Sequence, residues 1–167
     1  NMPIYWLGLG SNVLIRDGGI RGLVVLTNGG VNKGLVKQDI VTLSQYGKLI
    51  CVEAGVPCAK LAKFLAKNNY PGGAFWAGIP GTMGGALAMN AGCYGSETWD
   101  YIVKVDVIDR LGNITELSAN KFEIAYRSAT LKPDLKLSFN SGDYWFVRAY
   151  IKLPQDNSIN GQDEIRS

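Results

Sequence analysis

The sequence predicts an α+β domain built on a mixed, largely antiparallel sheet. Three observations carry this. Short apolar or alternating runs, bounded by glycine, asparagine and proline, recur along the chain and read as strands. One segment has clear helical periodicity, and the rest offers only one or two short helical turns. At 167 residues the chain suits one domain with a real core.

Ile4 to Leu7 is a short apolar run entering Gly8-Leu9-Gly10-Ser11-Asn12, which predicts a buried strand and a tight loop. Asp17-Gly18-Gly19 marks a turn, and Leu23 to Leu26 predicts a second buried strand. Thr27 to Asp39 is glycine-rich and reads as a loop. Val41 to Ser44 and Leu49 to Ala54 flank Gln45-Tyr46-Gly47, the pattern of a hairpin.

Pro57 to Lys67 is the clearest helix. Proline suits its first turn, Cys58, Leu61, Phe64 and Leu65 line one face, and Lys60, Lys63 and Lys67 line the other. That lysine face reads as solvated surface. Asn68-Asn69 and Pro71-Gly72-Gly73 stop the helix. Leu87 to Met89 is helix-compatible. Val103, Val105 and Val107 alternate with Lys104 and Asp106 as a half-buried strand, and Leu111-Gly112-Asn113 turns the chain back into Ile114 to Leu117. Ser118 is placed to cap one or two helical turns through Phe122. Tyr144 to Leu153 predicts a final strand, and past Pro154 the chain turns polar.

Composition excludes several functions. Hydrophobic residues make up 47% and charged residues 19%, so an ordered globular protein is expected. A net charge of +3, scattered and without basic runs interleaved with aromatics, argues against nucleic acid but suits a small polyanion. No apolar run approaches the ~18 residues of a membrane span, and no secretory leader is expected from the first residues. Cys51, Cys58 and Cys93 are odd in number and lack metal or redox spacing, so reduced thiols of a cytoplasmic protein are expected. Histidine is absent. That removes Ser-His-Asp and Cys-His catalysis and every His-based metal site within these residues. No metal site is predicted.

The chemistry is expected in glycine-rich backbone. Gly78-Ile79-Pro80-Gly81-Thr82-Met83-Gly84-Gly85-Ala86 and Asn90-Ala91-Gly92-Cys93-Tyr94-Gly95 strip side chains from one stretch of chain. Such a stretch lets a ligand approach the main chain, whose N–H groups can converge on anionic oxygens. Small residues leading into a helix also predict an anion site at its N-terminus, ahead of the competing reading of close helix packing. Gly8-Leu9-Gly10-Ser11-Asn12-Val13 looks like a dinucleotide-binding fingerprint, but Val13 replaces the third glycine and Arg16-Asp17-Gly18-Gly19 breaks the required helix. Tyr126-Arg127-Ser128 offers a guanidinium able to clamp a carboxylate, although by spacing alone an ordinary surface arginine is the better reading. Glu53 and Glu97 lie near glycine loops without a second acid in register. The four tryptophans, Trp6, Trp76, Trp99 and Trp145, read as core or cofactor-wall residues.

In order and spacing, these four motifs resemble the UDP-N-acetylenolpyruvoylglucosamine reductases, bacterial flavoenzymes of peptidoglycan precursor synthesis. The resemblance runs from about Ile4 to Leu153. It implies part of a two-lobed FAD-binding domain of the vanillyl-alcohol oxidase type, spanning residues 1–154. Residues 155–167 would then be a linker toward a separate C-terminal substrate-binding domain. By the same resemblance FAD would lie against Gly8, Gly10, Ser11 and Asn12, and against Gly78, Ile79, Pro80, Gly81, Thr82, Gly84, Gly85, Ala86, Asn90 and Gly92. NADPH would reduce the flavin, which passes hydride to the enolpyruvyl double bond of the UDP-sugar. Arg127 would be the active-site arginine, with Tyr126 shaping the substrate pocket.

The chain also departs from the family pattern. The lobe that precedes the Leu-Gly-x-Gly-Ser-Asn loop, and the C-terminal domain carrying a proton-donating serine and a late glutamate, are not found here. The chain is therefore expected to be the middle portion of the enzyme, unable to turn over alone. The full enzyme is expected to be a monomer, and the fragment to be prone to self-association through apolar patches. The alternatives are an FAD-dependent oxidase of the same fold, whose flavin is often tethered through His or Cys, and a non-catalytic nucleotide-binding module.

Overall fold

The structure, a computed structural model, describes residues 2–27, 41–43, 49–136 and 143–154. The predicted loop over 28–39, the hairpin turn Gln45-Tyr46-Gly47 and the polar tail past Pro154 lie outside the described residues.

Strand β1 (Ile4–Leu7) pairs in parallel with β2 (Leu23–Leu26), Ile4 opposite Leu23 and Leu7 opposite Leu26. Strand β3 (Val41–Leu43) pairs antiparallel with β4 (Leu49–Glu53), and helix α1 (Cys58–Lys67) follows. A 3₁₀ turn at Ala74–Gly78 leads to helix α2 (Met83–Ala88) and the small hairpin β5 (Gly92–Cys93) and β6 (Ser96–Glu97). Then come β7 (Ile102–Asp109), β8 (Ile114–Ser118), the hairpin β9 (Phe122–Ala125) and β10 (Ser128–Leu131), the short helix α3 (Pro133–Lys136) and β11 (Tyr144–Lys152).

The main sheet has the order β3-β4-β11-β7-β8, antiparallel throughout, so the last strand inserts between two earlier ones. Alternation decides the faces only in part: in β7, expected to bury Val103 and expose Asp106, a register shift against β11 turns Val103 out, and Asp106 is buried beside Arg148 at 3.2 Å. Ile50 and Val52 of β4, Ala149 and Ile151 of β11, and Val105 and Val107 of β7 are fully buried. They meet Leu61 and Leu65 of α1, Met83 and Leu87 of α2, and Trp76 and Trp99, in one core.

Helix α1 forms as its periodicity dictates. Cys58, Leu61, Ala62, Leu65 and Ala66 are buried, and Lys60, Lys63 and Lys67 are exposed. Pro57 is the N-cap rather than a helical residue, and the left-handed Asn69 (φ 58°) ends the helix. The helical turns expected after Ser118 shrink to a single 3₁₀ turn, Ala119–Lys121, because Phe122 is drawn into β9 and buried. The larger difference concerns β1 and β2, predicted as buried. Leu23 and Leu26 are about half exposed and no residue of either strand belongs to the core, because the two-stranded ladder stands apart from the main sheet.

Candidate functional site

A cleft of about 990 Å³ opens between the loop after β1 and the segment running from the 3₁₀ turn through α2 to β6. The hairpin tip Tyr126–Arg127 completes its rim. That volume lies at the top of the ~300–1,000 Å³ common for ligand pockets. The sequence-predicted residues Gly8, Gly10, Ser11, Asn12, Gly78, Ile79, Pro80, Gly81, Thr82, Gly85, Ala86, Asn90, Gly92, Tyr126 and Arg127 all line it. Gly84 does not.

The two glycine loops touch. A Cβ at Gly8 would fall 2.4 Å from the Thr82 hydroxyl, and one at Gly81 would lie 3.3 Å from Ser11 Oγ. Absence of side chains lets the loops meet and form one continuous floor. Gly10, held at φ +76°, and Gly85 have no neighbour within 4 Å of a Cβ, so their backbone faces open space. These two are the bare positions the sequence led us to expect.

Elsewhere glycine serves packing. The Met83 N–H donates to Val56 O at 2.9 Å and the Gly84 N–H to Ala54 O at 2.8 Å. These two first-turn donors of α2 are therefore bound to the segment joining β4 to α1, and α2 is only six residues long. These two donors are thus not available to the anion site expected at this helix N-terminus, and Gly85 is the first-turn residue that faces the cleft. A Cβ at Gly84 would sit 3.0 Å from that of Ala54, which makes Gly84 a contact residue between helix and sheet. Gly78 likewise yields to Cys93 Sγ and the Tyr94 ring, and Gly92 to the Ser96 carbonyl, within the wall of the cleft.

Asn90 lines the cleft yet is only 4% exposed. Its amide donates to Glu97 Oε2 at 2.7 Å and accepts the Trp99 N–H at 3.2 Å. Left-handed at φ 41°, it closes α2 and pins the β5–β6 hairpin. Glu97 and Asp100 also reach the cleft wall, and the Glu97 N–H donates to Asp100 Oδ2 at 2.9 Å in a reciprocal capping box. Asp100 escaped the sequence reading. The spacing Glu97-x-x-Asp100 was the available signal, since it is that of a capping box.

Among the described residues Arg127 is the one cation in the cleft wall. It sits at the second position of the two-residue turn joining β9 to β10, with Ala125 opposite Ser128. Its φ is +56°, a left-handed conformation that favours glycine at such a position. Its Nη2 donates to Asn12 Oδ1 at 2.9 Å, across the cleft from the β1 loop. Tyr126 beside it is 86% exposed. The tryptophans divide as core and wall: Trp76 and Trp99 are buried, while Trp6 lines the cleft and stacks on Trp145 at 6.0 Å.

Burial pushes the Cys58 thiol up to about 12, and burial also raises Cys51, so neither is a thiolate at neutral pH. Among the described residues no group of His, Cys, Asp and Glu is arranged to hold a metal ion, and no helix is long and apolar enough to cross a membrane.

The fold and the cleft define a flavin-binding domain. The chain belongs to the FAD binding domain family, whose pattern it matches over residues 1–118. It is 48% identical over 155 residues to the UDP-N-acetylenolpyruvoylglucosamine reductase of Legionella pneumophila strain Corby, covering 93% of this chain and 45% of that protein. It is 42% identical over 182 residues to the protein of the same name from Nitrosospira multiformis, covering 99% of this chain and 50% of that one. The family resemblance read from the four motifs is thus the one its relatives carry. In fold it is similar to the crystal structure of UDP-N-acetylenolpyruvylglucosamine reductase from Thermus caldophilus, with a TM-score of 0.75 at 24% identity, covering 99% of this chain and 54% of that one. The chain spans about half the length of the relatives it matches.

Proposed function

We propose that the cleft holds FAD and that the protein carrying this chain reduces the enolpyruvyl group of a UDP-sugar with NADPH, in peptidoglycan precursor synthesis in the cytoplasm. One observation carries the reading. Two glycine loops distant in sequence meet as a single bare floor, with one arginine presented over it. The residues fit the cofactor: a Cβ at Gly10 or Gly85 would enter the empty space where its flat ring or pyrophosphate could approach the main chain. Bound FAD supplies the hydride, taken up from NADPH, that reduces the double bond.

The protein's own part is position and field. Gly8, Gly10, Ser11 and Asn12 form one wall, and Gly78 to Thr82 with Gly85 and Ala86 form the other. Arg127 holds the enolpyruvyl carboxylate and stabilises the negative charge that develops beside it. Tyr126, exposed at the same tip, borders the substrate. Residues 1–154 serve as the FAD-binding part and 155–167 lead toward a substrate-binding domain, in keeping with the half-length match to relatives. On this reading the 167 residues alone do not turn over.

The test follows NADPH oxidation by the full-length flavin-loaded protein with the UDP-sugar enol ether. Consumption dependent on that substrate is expected. Arg127→Ala should weaken the substrate ~10–100-fold, the value of a lost charge-assisted hydrogen-bond pair. Oxygen consumption without any need for NADPH would instead mark an oxidase.

A further inference from the structure

We propose that Asn12 is a positioning residue for Arg127. Its side-chain carbonyl holds the guanidinium across the cleft so that the remaining N–H groups face the substrate carboxylate. The inference rests on the reading of Arg127 given above.

The two residues lie 115 positions apart and on different walls, yet Nη2 of Arg127 meets Asn12 Oδ1 at 2.9 Å. The contact uses one of the five N–H donors of a guanidinium and leaves the others available. Arg127 is exposed at a hairpin tip, where a long side chain would otherwise sample many rotamers. Its backbone is already fixed at φ +56° by the tight turn. With the far end tethered as well, the ordering precedes substrate binding instead of opposing it.

The choice of partner is informative. Glu97 and Asp100 line the same cleft, but among the described residues Arg127 forms no salt bridge with either. A neutral amide oxygen fixes direction without cancelling charge. A carboxylate in its place would hold the guanidinium at least as firmly and compete with the substrate's own carboxylate.

The test measures the dissociation constant of the UDP-sugar enol ether by calorimetry, without NADPH, on the full-length protein loaded with FAD. Flavin affinity is measured separately for every variant. Asn12→Ala should weaken substrate about 5–20-fold. Asn12→Asp, though isosteric, should weaken it more than Asn12→Ala. Combined with Arg127→Ala, the loss of Asn12 should add less than twofold. An Asp variant milder than the Ala variant, or losses that multiply in the double variant, would overturn the proposal and leave Asn12 a loop or flavin residue. No effect from Arg127→Ala would overturn the reading of Arg127 itself, and this inference with it. If Asn12→Ala sheds its flavin, ¹⁵N relaxation of the Arg127 side chain in the flavin-free protein still decides: a positioning contact requires faster motion in the variant, and unchanged motion sinks the idea.

Discussion

The two walls of the cleft look alike in sequence and differ in how they are built. The wall from Gly78 to Asn90 is rooted in the core. Met83 and Leu87 are fully buried, and the Met83 and Gly84 N–H groups are bound to the segment joining β4 to α1. The wall from Gly8 to Val13 hangs on a two-stranded parallel ladder outside that core, with Val13 and Ile15 about half exposed and Leu14 almost wholly so. A glycine in the first wall mostly admits another part of the protein. In the second, Gly10 leaves space open while Gly8 makes room for Thr82. The same residue type thus marks packing at Gly84 and Gly8 and access at Gly85 and Gly10, so each wall holds both kinds.

A leucine truncation within the first wall and another just past the end of the second separate the two most strongly. Leu87→Ala should cost ~2–5 kcal/mol, as buried leucines do, while Leu14→Ala should stay within ~0.5 kcal/mol of the parent. Urea denaturation of both variants checks this. Equal losses would mean that the β1 loop is as deeply anchored as α2.

A second effect comes from pH. Cys58, whose N–H donates to Gly81 O at 2.8 Å, carries a thiol that burial pushes up to about 12 from its ordinary 9.0. The folded state keeps a proton that the unfolded chain releases above about pH 9. Its contribution is therefore full below pH 9 and is lost as pH rises toward 12, at no more than about 1.4 kcal/mol per pH unit. Denaturation midpoints should fall over that window, and less so in Cys58→Ala.

Much of this could be read from the residues alone, and the failures have a common cause. The α1 face and the final strand follow from local periodicity, which depends on neighbours three or two residues away. The alternation expected in β7 holds only at Val105 and Val107, because a register shift against β11 leaves Val103 exposed and an ion pair with Arg148 buries Asp106. Burial of β1 and β2 does not follow from periodicity, because an apolar run is buried only if something else covers it, and pattern cannot supply the cover. The motifs named nearly every residue of the cleft for the same reason that they could not assign Gly84. Bare backbone is visible in sequence, but whether Ala54 fills the vacancy is a fact of tertiary contact. The Asn12–Arg127 bond spans 115 positions and left no local trace at all.

Adjacent glycines sharpen the comparison within a single turn. At Gly84 an added methyl would press on Ala54 Cβ at 3.0 Å and Ala54 O at 3.2 Å. Overpacking should outweigh the helix preference for alanine and cost about 1 kcal/mol net. At Gly85 nothing lies within 4 Å, so Gly85→Ala should gain up to ~1 kcal/mol from helix propensity. That methyl would project into the cleft, so the more stable variant should be the poorer flavin binder. Thermal melts alongside FAD titration separate the two. Opposite signs in stability support the assignment of one glycine to packing and one to access, and equal signs refute it.

The smallest expected change in stability is the most telling about function. Arg127 occupies a left-handed position at φ +56°, where a non-glycine residue carries roughly 1–2 kcal/mol of backbone strain. Replacing it with glycine relieves that strain, loses the hydrogen bond to Asn12 and adds freedom to the unfolded chain. The three terms nearly offset, so Arg127→Gly should leave the melting temperature unchanged or raise it slightly. The same variant removes the cleft wall's cation and should weaken substrate at least as much as Arg127→Ala, ~10–100-fold. A residue kept for structure would show the reverse, with stability falling when it is replaced and binding surviving. Strain tolerated at a tip that glycine would fill more comfortably is what a side chain retained for its charge leaves behind.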